Sequence, residues 1–562
     1  MASKSFDRRA MLKGSLAAGA GLALAAYGSG KADAGVTKTT GGAASGSAGA
    51  SDRVAPINPF LASSITSIGH NDSAQTSSVL VKGPLGPSTT LTEAELQYQF
   101  LGPGHFGMAT SAPYPDGSRV IWSNGGDRVS KVDYETLEVL AELPLPGVVQ
   151  VTAAEAEAAI AELDGQSGYE LAQTGLALAA KYLHLSGTYF ALDKTNTLFV
   201  AETAGVAAYH DAKPGNRKSP IVQRGMFALP GGVTGNVVGL NMTYDGKIVA
   251  VTNEGWVMVI DRDFGRCITL AIPGSDQAAA HNEEVESTGK NISAGSWVRK
   301  SISVDHNGGI YIASPGMMHK VVWTGTRLSS DAADGAWDEP YLDAAGLGAG
   351  STPSLMGFGD TRFVITTDGQ PVMNIVMYWR DKIPADWKQL PGAPSRRIAG
   401  MVPVDLGDPT TVKTVTQNAV SISEWGAFVV NNVPASVPAN FPVVGLQALT
   451  AFSGADPLYA PHGVQKFEWN PKTRNLASAW SNIEVGDPNS TPIISTPADT
   501  VYFVGARDGR WTVEGLNWTT GHSRFTWKTD SNRYNASFAG TEMDQQGRII
   551  YTTEFGIVRY PH

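Results

Sequence analysis

The stretch Asn241–Ile260, which reads NMTYDGKIVAVTNEGWVMVI, contains one complete repeating unit of this chain. It has an alternating strand, a turn at Asp245-Gly246, a strongly apolar strand, a short polar turn and a third strand. An Asp-Gly pair between two such runs is typical of a tight turn between antiparallel strands. The stretch therefore predicts a small antiparallel sheet.

The same unit recurs along the chain. Ser301–Val322 begins SISVDHNGGIYIASPG, and Thr541–Tyr560 reads TEMDQQGRIIYTTEFGIVRY. With weaker copies there are eight apolar second strands, which centre on Val120, Leu198, Val249, Ile310, Val364, Phe428, Tyr502 and Ile550. Their mean spacing of about 60 residues is somewhat above the 40–50 residues typical of propeller repeats.

The repeats determine the predicted fold. One blade of three or four strands cannot bury both of its faces, so neighbouring blades must stack and the ring must close. We therefore predict an all-β fold in which residues 56–562 form one closed β-propeller with eight blades. Seven blades are the alternative, and two stacked β-sandwiches are the rival architecture. Because the chain ends just after Ile557–Tyr560, the last blade is expected to take its outer strand from residues 75–100.

Two stretches interrupt the strand pattern. Ala153–Leu163 and Glu170–Leu183 are rich in Ala, Leu and Glu, and they predict a short helical hairpin inserted at about 152–184. The polar stretch His281–Trp297 predicts a loop. Adjacent residues of an extended loop point apart, so its His and Glu residues are not predicted to form a metal cluster.

Residues 1–34 resemble a twin-arginine signal peptide. The pair Arg8-Arg9 precedes an Ala/Gly/Leu-rich run, and an A-x-A cleavage motif ends at Ala34. The run is too short to span a bilayer, and residues 35–55 predict a flexible linker. We therefore predict export through the twin-arginine machinery, no stable membrane insertion and a periplasmic or secreted mature protein.

Charge and cysteine content exclude several classes of function. The formal net charge is −10 and charged residues make up 17% of the chain, which argues against nucleic acid as a partner. Cys267 is the single cysteine, so the chain has no intramolecular disulfide and no CxxC metal or haem motif. Its apolar surroundings predict a buried structural thiol.

Several motifs resemble the broad quinoprotein/NHL/SMP-30-like group of propellers. They are DGKIV at 245–249, NGGIY at 307–311, QGRII at 546–550, the stretch Trp518–Trp527, which is similar to a T-G-x-x-x-W blade signature, and Gly69–Thr76, which resembles the start of the propeller in quinoprotein dehydrogenases. The resemblance implies a propeller fold and, for its quinoprotein members, the cofactor PQQ. Those dehydrogenases commonly have adjacent cysteines beside the quinone and repeat the tryptophan signature. The single Cys267 and the single clear signature therefore disfavour PQQ here.

Carboxylates recur at equivalent turns. Four blades have one directly after the second strand, namely Glu202, Glu254, Asp368 and Glu554. Converging carboxylates need a compensating cation, and Ca²⁺ accepts many oxygen ligands in flexible geometry. We therefore predict a divalent cation at the channel mouth, and Ca²⁺ is the natural choice. The alternative is that these residues are ordinary solvated turn residues.

Further candidates lie in turns and loops at the same mouth. His105 stands among glycines and is interpreted either as a general base or as a turn histidine. Arg507 and Asp508 are further catalytic candidates at the turn after the second strand. Polar residues that lead into inner strands could contact a ligand or cofactor, and they are Asn241, Ser354, Asn418 and Asn535. His70 with Asp72 forms a second, weaker pair.

The leading hypothesis is a metal-assisted hydrolase of the lactonase or esterase kind that acts on a small molecule at the channel mouth. The bound cation would polarise a carbonyl and lower the pKa of a bound water. A quinone- or metal-dependent oxidoreductase on the same ring is the alternative. A non-catalytic binding scaffold is the third hypothesis.

Overall fold

Eight sheets of mainly antiparallel strands form the main body of the protein. The computed structural model describes residues 37–38 and 54–561, except residues 106, 183–186, 289–296, 345, 347 and 443–445, so the predicted signal peptide lies outside the described residues. We number the sheets as blades 1 to 8 in chain order, with their strands given from the inside outward. The predicted all-β propeller with eight blades is confirmed.

The first four blades each contain four consecutive strands. Blade 1 comprises Met108–Thr110, Val120–Asn124, Arg128–Asp133 and Val139–Pro144, and blade 2 comprises Phe190–Leu192, Leu198–Glu202, Gly205–Asp211 and Ile221–Ala228. Blade 3 comprises Val237–Met242, Ile248–Thr252, Trp256–Ile260 and Cys267–Ala271. Blade 4 comprises Ser303–Val304, Gly309–Ser314, Met317–Trp323 and Leu328–Ser329, and Trp337–Pro340 also pairs with its third strand.

The other four blades follow the same plan. Blade 5 comprises Ser354–Phe358, Thr361–Thr367, Asn374–Trp379 and Ile398–Pro403, and blade 6 comprises Ser421–Ser423, Gly426–Val430, Val464–Asn470 and Asn475–Asn482, with Thr37–Lys38 on its outer edge. Blade 7 comprises Ile493–Ser495, Thr500–Arg507, Arg510–Asn517 and Ser523–Thr529, with Ser78–Val79 and Thr89–Thr90 on its edges. Blade 8 comprises Glu542–Met543, Ile549–Thr552, Gly556–Arg559 and Gln97–Phe100.

Four α-helices interrupt the blades in the described part of the chain. They are α1 (Ala153–Asp164), α2 (Gly168–Tyr182), α3 (Ala278–Thr288) and α4 (Leu446–Ser453). Helices α1 and α2 confirm the predicted hairpin, and a capping box between Thr152 and Glu155 fixes its start. Short 3₁₀ turns lie at Glu93–Glu95, Ser275–Gln277, Ala332–Asp334 and Asn532–Tyr534. None of the described helices is long and apolar enough to cross a membrane.

Two sequence predictions need correction. The predicted loop at His281–Trp297 is helical up to Thr288, because three alanines and the following glutamates favour a helix despite their polar surroundings. Residues 289–296 lie outside the described residues. Cys267 is half-buried rather than buried because it lies in the outer strand of blade 3, and partial burial raises the pKa of its thiol to about 11.

Burial follows the position of each strand in its blade. In blade 3 the second strand Ile248–Thr252 is wholly buried, whereas the outer strand Cys267–Ala271 is half-exposed. Gly246 makes the turn before the second strand with φ of 85°, a conformation that favours glycine. Because the second strand is buried on both faces, its alternating apolar side chains can pack against the blades on either side.

Apolar clusters fill all eight gaps between neighbouring blades. The last gap closes the ring, where Ile550 and Ile557 of blade 8 pack with Met108 and Ile121 of blade 1. Burial of such side chains stabilises by roughly 25 cal/mol per Å². The ring therefore has a continuous core made of inter-blade contacts.

Strand exchange also closes the ring. Gln97–Phe100, from before blade 1, pairs antiparallel with Gly556–Arg559 and forms the outer strand of blade 8. This confirms the strand predicted from residues 75–100. The first and last blades are thereby joined by backbone hydrogen bonds, which leaves fewer open sheet edges.

A segment before the blades fills the lower part of the central channel. We call Thr66–Ser77 the plug. Its backbone carbonyls accept hydrogen bonds from inner-strand amides of six blades, namely those of Thr110, Leu192, Val304, Leu355, Ile422 and Ile494. Side-chain bonds add blade 3, where Asn241 Nδ2 donates to Ser73 O at 3.0 Å, and blade 8, where Asn71 Nδ2 donates to Glu542 Oε2 at 2.7 Å. The plug therefore contacts all eight inner strands.

Candidate functional site

A cavity of about 220 Å³ lies in the central channel above the plug. Because strands alternate in direction, the turn from the second to the third strand and the loop into the next blade share one end of the ring, which we call the upper face. The cavity opens between the loops that lead into the inner strands at this face. Gly69 and His70 of the plug contribute to its lining.

Two adjacent cationic side chains line the cavity. Arg299 and Lys300 stand just before the inner strand of blade 4, and both are half-buried. Arg299 Nη2 donates to Gln417 Oε1 at 2.5 Å, and Lys300 Nζ donates to the Gln417 carbonyl at 2.6 Å. Within the described residues, the amine of Lys300 bonds only to Gln417, and no ion pair with a carboxylate is formed there.

The enclosure shifts the pKa values of both cations. Burial, with Arg299 close by, holds the pKa of Lys300 well below its usual range. Burial lowers the pKa of Arg299 to about 10, so its guanidinium stays charged at neutral pH. The cavity therefore contains a permanent cation beside an amine that loses its proton unusually easily.

The other ionisable groups of the cavity are neutral at pH 7. Burial raises the pKa of Glu542 to about 8, although Asn71 and Thr66 donate to its Oε2 at 2.7 and 3.2 Å. Burial and the charge of Lys300 lower the pKa of His70 to about 4. Neither group adds a negative charge to the cavity at this pH, so an anion would meet no repulsion from them.

Three helices cover one side of the upper face. Helices α1, α2 and α4 pack in one apolar cluster with Phe555, from the turn of blade 8, and with the partly buried Phe538. Phe538 also lines the cavity. The helical cap and the cavity wall are therefore continuous at this side chain.

The four carboxylates predicted to bind a metal do not converge. Glu202, Glu254, Asp368 and Glu554 all lie at second-to-third-strand turns of the upper face, but none of them lines the cavity. Asp368 accepts from Asn374 Nδ2 at 2.6 Å, and Glu554 accepts from Ser537 Oγ at 2.5 Å. No group of three or more His, Cys, Asp or Glu residues in the described parts of the chain is placed to hold a metal ion. Equivalent turns of different blades lie at different positions around the ring, so their carboxylates are not brought together. Asp368 and Glu554 instead bond to local partners.

His105 has the surroundings of a structural turn histidine. Nδ1 lies 2.7 Å from Ser123 Oγ, and Nε2 lies 2.9 Å from the Leu101 carbonyl. The side chain is buried, and burial lowers its pKa to about 4. With both nitrogens engaged, neither faces a ligand in this arrangement.

The two other catalytic candidates lie away from the cavity. Arg507 donates to both carboxylate oxygens of Glu514, at 2.9 and 3.1 Å. Asp508 is largely exposed and pairs with Lys528 at 2.5 Å. Both residues therefore form local ion pairs in blade 7.

Of the four predicted ligand contacts, only Asn418 lines the cavity. Its Nδ2 donates to the Ser490 carbonyl at 2.5 Å. The other three residues donate to backbone carbonyls of neighbouring segments: Asn241 to Ile302, Ser354 to Val420 and Asn535 to Ala451. These three side chains therefore link neighbouring segments of the chain by hydrogen bonds.

A second group of polar side chains lies in blade 4. Ser314 Oγ is 2.7 Å from His319 Nε2, and His319 Nδ1 is 2.5 Å from Asp338 Oδ1. This is the hydrogen-bond order of a nucleophile, a base and an orienting acid. Ser314 and His319 are only 2% and 1% exposed. His319 lies in the third strand of blade 4.

Sequence reasoning missed Arg299 and Lys300. They fall just after the stretch that was predicted to be a polar loop. The available signal was their position directly before an inner strand, where ligand contacts were expected. Their common acceptor, Gln417, is more than a hundred residues away in the sequence.

No protein-family model matches the chain. A relative from Archaeoglobus fulgidus, described as "Uncharacterized protein", is 30% identical over 513 residues, which are 90% of this chain and 88% of the relative. The chain belongs to the family of this archaeal protein. The family relationship covers nearly the whole propeller.

Several solved structures resemble this member of the family. BamB from Moraxella catarrhalis is 12% identical, with 85% of this chain and 98% of that chain covered and a TM-score of 0.43. The quinohemoprotein alcohol dehydrogenase ADHIIG from Pseudomonas putida HK5 is 11% identical, with 88% and 79% covered and a TM-score of 0.46. A europium-containing methanol dehydrogenase is 11% identical, with 88% and 90% covered and a TM-score of 0.45. The fold assignment above depends on the eight sheets themselves.

Proposed function

We propose that the central cavity binds a small organic acid, with Arg299 as the anchor for its carboxylate. The observation that carries this proposal is the enclosed cation Arg299, which lines the cavity beside the amine of Lys300 and the neutral groups Glu542 and His70. An enclosed guanidinium attracts an anion more strongly than an exposed one, because the local dielectric constant is low. Guanidinium groups bind carboxylates through two parallel hydrogen bonds.

The size of the cavity limits the ligand. Its volume of about 220 Å³ is below the roughly 300–1,000 Å³ that is typical of sites for drug-sized molecules. Polar side chains that could contact the rest of the ligand include Asn418 and Thr352. These features favour an acid of a few carbon atoms with one or two further polar groups.

Calorimetric titration of the mature protein with short mono- and dicarboxylates tests this proposal. We expect saturable binding of at least one acid, and Arg299→Gln should weaken that binding at least tenfold. Arg474→Gln is the matched control, because Arg474 pairs with Asp386 on the outer part of the ring. Equal binding by the wild type and Arg299→Gln, or no binding of any acid, would contradict the proposal.

Ester or lactone hydrolysis is a second candidate function, supported by the row Ser314, His319 and Asp338. In this reading Ser314 Oγ attacks the carbonyl carbon and His319 accepts its proton. A fluorophosphonate probe should label Ser314 in the wild type and in Ser303→Ala, but not in Ser314→Ala. If the wild type did not react with the probe, hydrolysis by Ser314 would be contradicted, and the proposed acid site would not be affected.

The calcium-dependent hydrolase and the quinone-dependent oxidoreductase remain predictions from the sequence. The described residues do not fit a PQQ site with its cation, because no carboxylate cluster gathers and Cys267 lies in an outer strand. Metal analysis and the near-ultraviolet and visible spectrum of the purified protein test both. A bound metal ion would support a metal-dependent enzyme, and a quinone absorption band would support the oxidoreductase.

A further inference from the structure

We propose that Lys300 is a nucleophilic amine, which forms a Schiff base with the carbonyl carbon of a small oxo acid whose carboxylate is held by Arg299. This inference rests on the proposed acid site and names its substrate class. It adds a covalent role for one particular residue.

The two cationic groups are close enough for one small molecule. Both contact Gln417 Oε1, at 2.5 Å from Arg299 Nη2 and 3.4 Å from Lys300 Nζ, so the two nitrogens lie within about 6 Å of each other. A 2-oxo acid has its carboxylate and its carbonyl carbon directly bonded. Arg299 can therefore hold the carboxylate while the neighbouring carbonyl carbon faces Lys300, the near-attack arrangement that favours reaction.

The surroundings of Lys300 favour the neutral amine that the chemistry needs. An amine attacks a carbonyl only without its proton, and desolvation beside another cation is a known way to achieve this. Lys300 is enclosed beside Arg299, and its pKa lies well below the usual range. Its hydrogen-bond partner is the amide Gln417, which orients the amine but adds no negative charge to retain the proton.

The proposed step balances without any further reactant. The Nζ lone pair forms a bond to the carbonyl carbon, the carbonyl electrons move to oxygen, and a proton passes from nitrogen to that oxygen. The resulting hydroxyl leaves as water after it accepts a proton, and the C=N bond of the iminium forms. Glu542 lines the same cavity as a neutral acid and can supply that proton.

Two other lysines serve as internal controls. Burial lowers the pKa of Lys413 to about 8, but Lys413 does not line the cavity. Lys131 is fully buried and forms an ion pair with Asp211. If every amine that is buried or has a lowered pKa reacted, one of these two lysines would also be modified. Reaction in the cavity would modify Lys300 in preference to these two residues.

The experiment traps the imine with sodium cyanoborohydride. The full mature protein is incubated with glyoxylate or pyruvate and the reductant, and peptides are analysed by mass spectrometry. We expect a reduced adduct on Lys300 that is suppressed by excess propionate. The adduct should be absent from Lys300→Met and unchanged in Lys413→Met, and both variants should melt as cooperatively as the wild type.

The outcomes separate this inference from the acid site itself. Calorimetric binding of propionate without an adduct on Lys300 overturns the Schiff base and leaves the acid site intact. An adduct on Lys413 or Lys131 with Lys300 unmodified has the same consequence. Absence of both binding and adduct overturns both proposals.

Discussion

Lys131 and Lys300 are both enclosed within the ring, but their surroundings differ. Lys131, in the third strand of blade 1, pairs with Asp211 of blade 2 and donates to the Ser219 carbonyl at 2.8 Å. Lys300, in the channel, donates to an amide and a carbonyl of Gln417. The first lysine links two blades, whereas the amine of the second faces the cavity and is available to a ligand.

A carboxylate partner distinguishes the structural lysine Lys131 from Lys300, for which we propose a function. Asp211 keeps the positive charge of Lys131 satisfied, and Tyr114 also donates to this carboxylate at 2.6 Å. In the channel, the buried acid Glu542, which lines the cavity, is itself protonated at neutral pH. Among the described residues Lys300 thus bonds to uncharged groups, which do not hold a proton on its amine.

Removal of each lysine in turn should give the largest difference. Lys131→Met leaves the buried Asp211 without its cation, so the free energy of unfolding should fall by about 3–5 kcal/mol. Lys300→Met removes a half-buried amine whose pKa is already lowered and which pairs with no described carboxylate, so stability should change by less than about 1 kcal/mol or increase. Guanidinium unfolding followed by tryptophan fluorescence measures both. Equal losses for the two variants would contradict the comparison.

The protonated state of Glu542 predicts a pH dependence. Its folded pKa of about 8 lies above the ordinary value of 4.5, so the unfolded state releases its proton first as pH rises. Stability should therefore fall with rising pH in this window and level off above pH 8. Between pH 5 and pH 7.5 the wild type should lose about 3 kcal/mol relative to Glu542→Gln.

Unfolding midpoints of the two proteins across this range provide the test. The glutamine keeps an oxygen that can accept from Asn71 without titrating. Parallel curves would show that Glu542 has an ordinary pKa, and the channel would then contain a carboxylate that compensates the cations.

Double-mutant cycles should give the smallest effect and sharpen the comparison further. The bond of 3.4 Å from Lys300 to the Gln417 side chain is that of a weak hydrogen bond, so their coupling energy should be about 0.5–1 kcal/mol. Lys131 and Asp211 should couple by more than about 1.5 kcal/mol. The cycles use Gln417→Leu and Asp211→Asn with the lysine variants. A strong coupling at Gln417 would indicate a structural role for Lys300.

Most of the fold could be predicted because it depends on local pattern. Alternating apolar residues such as Ile248–Thr252 mark each second strand, and a closed ring requires the exchanged strand at Gln97–Phe100. Helix α3 was missed because its sequence is polar on average. The plug could be singled out as a motif, but its path through the channel depends on contacts with every blade.

The site could be predicted much less well. Repeat symmetry places Glu202 and Glu554 at equivalent turns, but equivalence spreads residues around the ring, whereas a site needs them to converge. The cation pair arises from a departure from the repeat at Arg299 and Lys300. The role of these two residues depends on their contacts with Gln417, and only the closed ring brings Gln417 near them.

Anomalous diffraction from crystals soaked in sodium bromide at neutral pH tests the central claim most directly, because bromide reports an anion site whatever the natural acid is. The account predicts a bromide peak in the channel within contact distance of Arg299 and Lys300. That peak should disappear in Arg299→Gln and persist in Arg474→Gln. Bromide peaks confined to the outer surface of the ring, with none in the channel, would contradict the account.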